Sequence, residues 1–269
     1  MEIVLNNVIY SYKNKKLLDK INLKIEDNKI TGITGEYKTL LCNLLDGTKE
    51  ITSGEILIGE IPLIKENIKV VRKIVSMIHQ DYQEQFFTDS VKEEILFLIS
   101  RLSYKPKDIN KKMIQALEIV GLDKEIINRN ISSLTSGEKK LIQIAISLIY
   151  NPDIIIFDEV FIELDMTNRK KIIRLIKKLK DKYKKTVIIS SNDVNLLYEI
   201  TDNIVILRKG HVLHNGITKD IYQKEEVIND KNIEIPDLVR FTFLAKNKKI
   251  KLSYHTDILD LIKDVYKHV

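Results

Sequence analysis

Apolar positions along the chain recur with two different periods, and the alternation between them predicts the architecture. Residues 2–12 alternate apolar and polar side chains, the period-two pattern of a strand with one buried face. A short strand is expected again near residues 23–25. From residue 30 to 33 an apolar strand runs into a turn holding two glycines, and residues 38–45 continue with helical spacing. Residues 54–61 predict a strand and turn, and 73–78 another strand. Helical spacing returns at 90–101, 109–120 and 136–150, the last with a serine near its start. Ile154-Ile155-Ile156-Phe157 is an unbroken apolar run ending in Asp158 and Glu159, as in strands buried on both faces of a parallel sheet. Residues 168–180 form an amphipathic helix with a basic face. Residues 186–190 and 204–207 read as further buried strands. Strands alternating with helices argue for an α/β fold with a mainly parallel sheet.

After Gln223 the pattern changes. Residues 225–234 are polar, Pro236 punctuates, and two helical stretches follow at 238–246 and 258–266. The division expected is a main domain over 1–222 and a small C-terminal appendage over 223–269.

Composition changes this picture little. The 269 residues are 44% apolar and 30% charged, enough for a large core and a well-solvated surface. The net charge of +6 comes from lysines scattered among Glu and Asp, so no nucleic-acid partner is expected. Cys42, the single cysteine, sits in the apolar run LLCNLL and reads as a buried thiol, which excludes an intrachain disulfide or a cysteine metal cluster. The opening MEIVLNNVIY lacks the basic region and long apolar stretch of a leader peptide. No segment reaches the roughly 18 apolar residues of a membrane span, so any membrane role is expected to come through a partner.

The candidate chemistry begins at Gly32-Ile33-Thr34-Gly35-Glu36-Tyr37-Lys38-Thr39, between a strand and a helix. It nearly fits the phosphate-loop pattern G-x-x-x-x-G-K-[ST]. Backbone N–H groups of such a loop hold phosphate oxygens, its lysine reaches the outer phosphates and its hydroxyl ligates Mg²⁺. Tyr37 departs from the pattern by standing where the second glycine belongs. A lysine at an ordinary helix start is the alternative reading. The Asp158–Glu159 pair narrows it: an apolar strand ending in acids about 120 residues later suits Mg²⁺ held by Asp158 and an attacking water polarised by Glu159.

Between these lies Leu134-Thr135-Ser136-Gly137-Glu138-Lys139-Lys140, opening a helix. This resembles the LSGGQ signature of ABC ATPases, with Thr135 for serine, Ser136 for the first glycine, Gly137 matching, and Glu138 for glutamine. The resemblance extends over about residues 2–222. It implies a P-loop NTPase fold of ABC type, with a mainly parallel core sheet, an antiparallel β subdomain and a helical signature subdomain. It implies adenine stacking on Tyr12, a loop contributing Gly32, Thr34, Gly35, Glu36, Tyr37, Lys38, Thr39 and Leu40 to ATP, and Mg²⁺ held by Thr39, Gln80 and Asp158. It assigns Glu163-Leu164-Asp165 to a dimer contact, and Asn192 to the position of the family's switch histidine. Asparagine cannot carry a proton as histidine does. Residues 80–97 are similar to the ATPases of energy-coupling factor transporters, which take up vitamins and metal ions. The resemblance therefore implies an ATP-binding transporter subunit, peripheral at the cytoplasmic face of the cell membrane. Its partners would be a second ATPase subunit, as a heterodimer with unequal sites, and membrane-embedded subunits. A non-hydrolysing structural partner and a soluble ABC ATPase unrelated to transport are the alternatives.

Overall fold

The computed structural model describes residues 1–79, 86–101, 108–162 and 164–267. β1 (Ile3–Tyr12) and β2 (Lys15–Ile25) form an antiparallel hairpin. Lys13 and Asn14 both take positive φ at its turn, as a two-residue hairpin loop requires. β2 is far longer than the three residues expected. Its apolar positions Leu18, Ile21 and Leu23 break step because a bulge at Lys20 (φ 52°) inserts one residue, which hides the period-two pattern. β4 (Ser53–Ile58) and β5 (Ile61–Pro62) complete a four-stranded sheet ordered β2-β1-β4-β5.

The second sheet has six strands in the order β10-β9-β3-β8-β7-β6. These are β3 (Ile30–Gly35), β6 (Val75–Ile78), β7 (Ile154–Asp158), β8 (Thr186–Ser190), β9 (Asn203–Arg208) and β10 (His211–Ile217). All pairings are parallel except β9 with β10. β10 follows a tight turn after β9 and shows no alternation, so the sequence pattern did not reveal it. The strand expected over 73–78 starts two residues later, because Lys73 and Ile74 close α2 (Ile68–Ile74).

The core strands are continuous apolar runs because both faces are covered. On β7, Ile155 and Phe157 face a core shared with α3 (Val91–Arg101), α4 (Ile109–Val120), α5 (Ser136–Leu148), α6 (Met166–Asp181) and α7 (Val194–Ile200). Ile154 and Ile156 face the other core, shared with α1 (Lys38–Leu45) and the antiparallel sheet. α6 is amphipathic as expected, burying Ile172, Ile173, Leu175, Ile176 and Leu179. α8 (Thr218–Tyr222) leads to α9 (Glu225–Ile228), α10 (Asp237–Asn247) and α11 (Ile258–Tyr266). Val227, Ile233, Ile235 and Val239 pack into the main core, whereas Ala245, Leu252 and Leu261 form a small cluster of their own. Among the described residues no helix is long and apolar enough to cross a membrane.

Candidate functional site

The carboxyl ends of β3, β7 and β8 open at one edge of the parallel sheet, where α/β sheets present loops to ligands. β3 leads through residues 35–37 into α1. Gly35 is required there twice over. Its φ is +96°, and an added Cβ would lie 2.0 Å from the Leu207 carbonyl oxygen of β9. Glu36 N–H donates to that same oxygen at 3.3 Å, so β9 buttresses the loop.

Tyr37 occupies the N-cap of α1 at φ 64°, ψ 19° and offers no side-chain cap. The backbone thus keeps the left-handed conformation that glycine supplies freely, at a cost of about 1–2 kcal/mol for a residue with a Cβ. The half-buried ring packs onto the core beneath the antiparallel sheet. The first turn of α1 therefore retains N–H groups without intrahelical partners, and the partial positive charge of a helix start. Leu40, in that turn, packs its side chain on the same core.

Lys38 and Thr39 reach across to β7. Lys38 Nζ lies 3.1 Å from Glu159 Oε1, both side chains being largely buried at 13% and 7% exposure. Thr39 Oγ1 donates to Asp158 Oδ1 at 3.0 Å. Glu159 itself sits at φ 49°, and its N–H donates to the Ser190 carbonyl of β8. Such a non-glycine outlier at a strand end is the kind of strain that functional sites store. Ser191 Oγ donates to Glu159 Oε2 at 3.4 Å and accepts from Asp193 N–H at 3.1 Å. Beneath the site, burial and then the charges of Asp158 and Asp46 push the Cys42 thiol well up, so it stays protonated and inert.

Asn192 is exposed and shares a 660 Å³ cleft with Thr34, Gly35 and Glu36. Arg208 and Asp230 line the far side, joined as an ion pair. Asp193, next to Asn192, caps α7 and pairs with Arg169 of α6. Burial pushes its carboxyl up, but the Arg169 guanidinium and the Leu196 N–H hold it below the usual range. Tyr12, at the end of β1, is 56% exposed, with the Lys13 ammonium 5.5 Å from its ring centre.

Thr135 opens α5 with a reciprocal capping box: its side chain accepts from Glu138 N–H, and Glu138 accepts from Thr135 N–H at 2.8 Å. Arg129 donates to the same carboxylate at 2.9 Å and also to the Ser133 carbonyl. The N–H of Thr135, foremost, and Arg129 hold the Glu138 carboxyl below its ordinary range. The hydrogen bonds of this turn run to Arg129, while Gly137 lies against Asn168 of α6. Neither neighbour belongs to residues 32–39.

The structure thus brings Lys38, Thr39, Asp158 and Glu159 into direct contact. It gathers Thr34, Gly35, Glu36 and Asn192 on one cleft, and keeps residues 135–138 on a separate turn. Gln80 and Glu163 lie outside the described residues. Sequence reasoning passed over the pairing of Ser191 with Glu159, and over Arg129 and Arg169. A serine just before a capped helix was the available signal for the first. The two arginines carry no local signal, since their partners are distant in the chain or unremarkable in type.

Comparison with known proteins agrees with this arrangement. The family profile described as ABC transporter matches residues 18–161. A putative ABC transporter ATP-binding protein of Pyrococcus furiosus is 33% identical over 245 residues, covering 90% of this chain and 89% of that protein. An energy-coupling factor transporter ATP-binding protein, EcfA1 of Ligilactobacillus salivarius, is 30% identical over 253 residues, covering 92% and 89%. Among solved structures, cbiO1 from Clostridium perfringens, part of the ABC transporter complex cbiONQ, superposes with a TM-score of 0.75 at 25% identity, covering 91% of this chain and 98% of that one.

Proposed function

The chain belongs to the ABC transporter ATP-binding proteins, and from that premise we propose that it is one of two unlike ATPase subunits in an energy-coupling factor type transporter. The observation that carries this reading is the double contact of Lys38 with Glu159 and of Thr39 with Asp158. A cation, a hydroxyl and two acids at one helix start form the donor set that a nucleotide triphosphate with Mg²⁺ calls for. Lys38 and the N–H groups at residues 35–40 would hold the phosphates, and Tyr12 the base. Thr39 and Asp158, with Gln80, would hold Mg²⁺. Such an ion would screen the phosphate charge.

In the structure Lys38 is neutralised by Glu159. Phosphates entering the loop would draw the ammonium away, and Glu159 would be left with Ser191 as its orienting donor. A freed, oriented carboxylate is what polarising a water requires. The companion group at Asn192 can donate and accept hydrogen bonds but cannot relay a proton. Removing one stabiliser of developing charge costs about a hundredfold or more in rate. Tyr37 adds backbone cost but keeps the loop's conformation. We read this site as one that binds nucleotide and turns over slowly, if at all.

ABC ATPases work as dimers with membrane subunits, each site taking its phosphate loop from one subunit and its signature turn from the other. The turn at residues 135–138 would then complete the partner's site. The subunit would sit at the cytoplasmic face of the membrane, with residues 1–222 as the cassette and 223–269 as an appendage anchored in its core. The relatives' names favour this over a soluble ABC ATPase, and no nucleic-acid partner is proposed. The direct test is ATP affinity of the isolated chain with and without Mg²⁺. Binding that tightens with Mg²⁺ and is lost in Lys38→Met is expected. Absence of binding by the unaltered chain would reduce the loop to a relic.

A further inference from the structure

Gly137 is buried at the start of α5, and the space its missing Cβ would fill is already taken. A Cβ there would lie 2.2 Å from Asn168 Nδ2, 2.5 Å from its Cγ and 2.8 Å from its Oδ1, so the side-chain amide rests against the glycine. That amide is not loose. Asn168 Nδ2 donates to Asp165 Oδ2 at 2.6 Å. Asp165 in turn caps α6 through its other oxygen, which accepts from the N–H groups of Thr167 and Asn168 at 2.8 and 2.9 Å. One half-buried side chain therefore touches the signature turn on one side and the residue that sets the start of α6 on the other.

We propose that Asn168 is a positioning residue that locks the signature turn to the segment entering α6, so that residues 135–137 and 164–165 move as one body. Its consequence rests on the dimer reading above. Both segments face the partner subunit in that reading, and a rigid tie between them keeps the turn aligned while the interface opens and closes. The glycine is then demanded by packing: any side chain at position 137 evicts the amide and breaks its bond to Asp165.

The contact can be tested on the isolated chain, with no partner or nucleotide, so its failure is separable from failure of the functional reading. The experiment is hydrogen exchange resolved to residues 135–139 and 164–168 in Gly137→Ala, Asn168→Ala and the double variant, with the milder Asn168→Ser in case Asn168→Ala folds poorly. Gly137→Ala is expected to speed exchange at residues 164–168, about 30 positions away, by about fivefold, the factor that one ordinary hydrogen bond contributes to an opening equilibrium. In the Asn168→Ala or Asn168→Ser background the same alanine should leave that segment unchanged, because no amide remains to be evicted. A merely structural alanine effect would act equally in both backgrounds. Equal effects, or an unchanged 164–168 segment in Gly137→Ala, would overturn the proposal.

Discussion

At the scale of single residues, two departures from the family pattern have different physical outcomes. Tyr37 looks disabling in sequence, since a Cβ resists left-handed backbone angles. In the structure it takes those angles and turns its ring onto the core. The sequence could show the missing glycine but not the direction of the ring, which depends on the apolar core assembled beneath the antiparallel sheet from segments distant in the chain. Glu138 is the opposite case: it replaces the neutral glutamine of the signature with a charge. The N–H and hydroxyl of Thr135 and the Arg129 guanidinium absorb that charge and lower its pKa. A carboxylate with a depressed folded-state pKa stabilises the fold above its unfolded pKa, and that contribution is lost as pH falls through the folded value. Thermal melting of Glu138→Gln is therefore expected to lie below that of the unaltered chain at pH 7. The gap should close as pH falls below about 4. A gap that persists unchanged at low pH would mean that shape rather than charge matters there.

At the scale of elements, legibility followed burial. β3, β7, β8 and β9 were readable because strands covered on both faces need unbroken apolar runs, and α5 and α6 because their caps and stripes are local. β2 was hidden by its bulge, β10 by its exposed, non-alternating face, and α7 by its shortness. The polar stretch 225–234 concealed an anchor: Val227 and Ile233 within it are buried in the main core, with Ile228 partly buried beside them, followed by Ile235 and Val239. Burying each such side chain contributes about 1.5–3 kcal/mol. The four together rival the whole stability of a domain, about 5–15 kcal/mol. A chain ending at residue 222 should accordingly be insoluble or melt far lower. A chain ending at residue 249 keeps those four, loses the outer cluster around Leu252 and Leu261 with the partly buried Tyr254, and should melt cooperatively much closer to full length. Comparable melting of both truncations would contradict this division of the core.

At the scale of the whole molecule, the two groups of proposed site residues make their bonds with different neighbours. Lys38, Thr39, Asp158 and Glu159 were findable from motif spacing alone, and their mutual contacts follow from adjacent strand ends. Among the described residues the turn at 135–138 makes no hydrogen bond or ion pair with them, in keeping with the proposal that a second subunit completes each site. If the chain contributes a slow loop and a sound signature turn, turnover should be low alone and should rise at least about tenfold on co-expression with an unlike ATPase subunit, the increment being lost in Ser136→Glu. ATPase assays on the purified chain and on the pair decide this, and vigorous turnover by the chain alone would remove the unequal-site reading.

The strand order has one more consequence, for biosynthesis. β3 lies between β8 and β9, whose residues emerge from the ribosome more than 150 positions after its own. Until then Ile30 and Ile33 lack both strand partners, and the loop after them lacks the Leu207 carbonyl that supports it. Contacts between such distant segments form slowly and leave apolar strand edges exposed meanwhile. The segment at residues 30–37 is therefore among the first parts of this protein to be made and among the last to take its final shape, and a nascent chain stalled before β8 would present it as a sticky strand without strand partners.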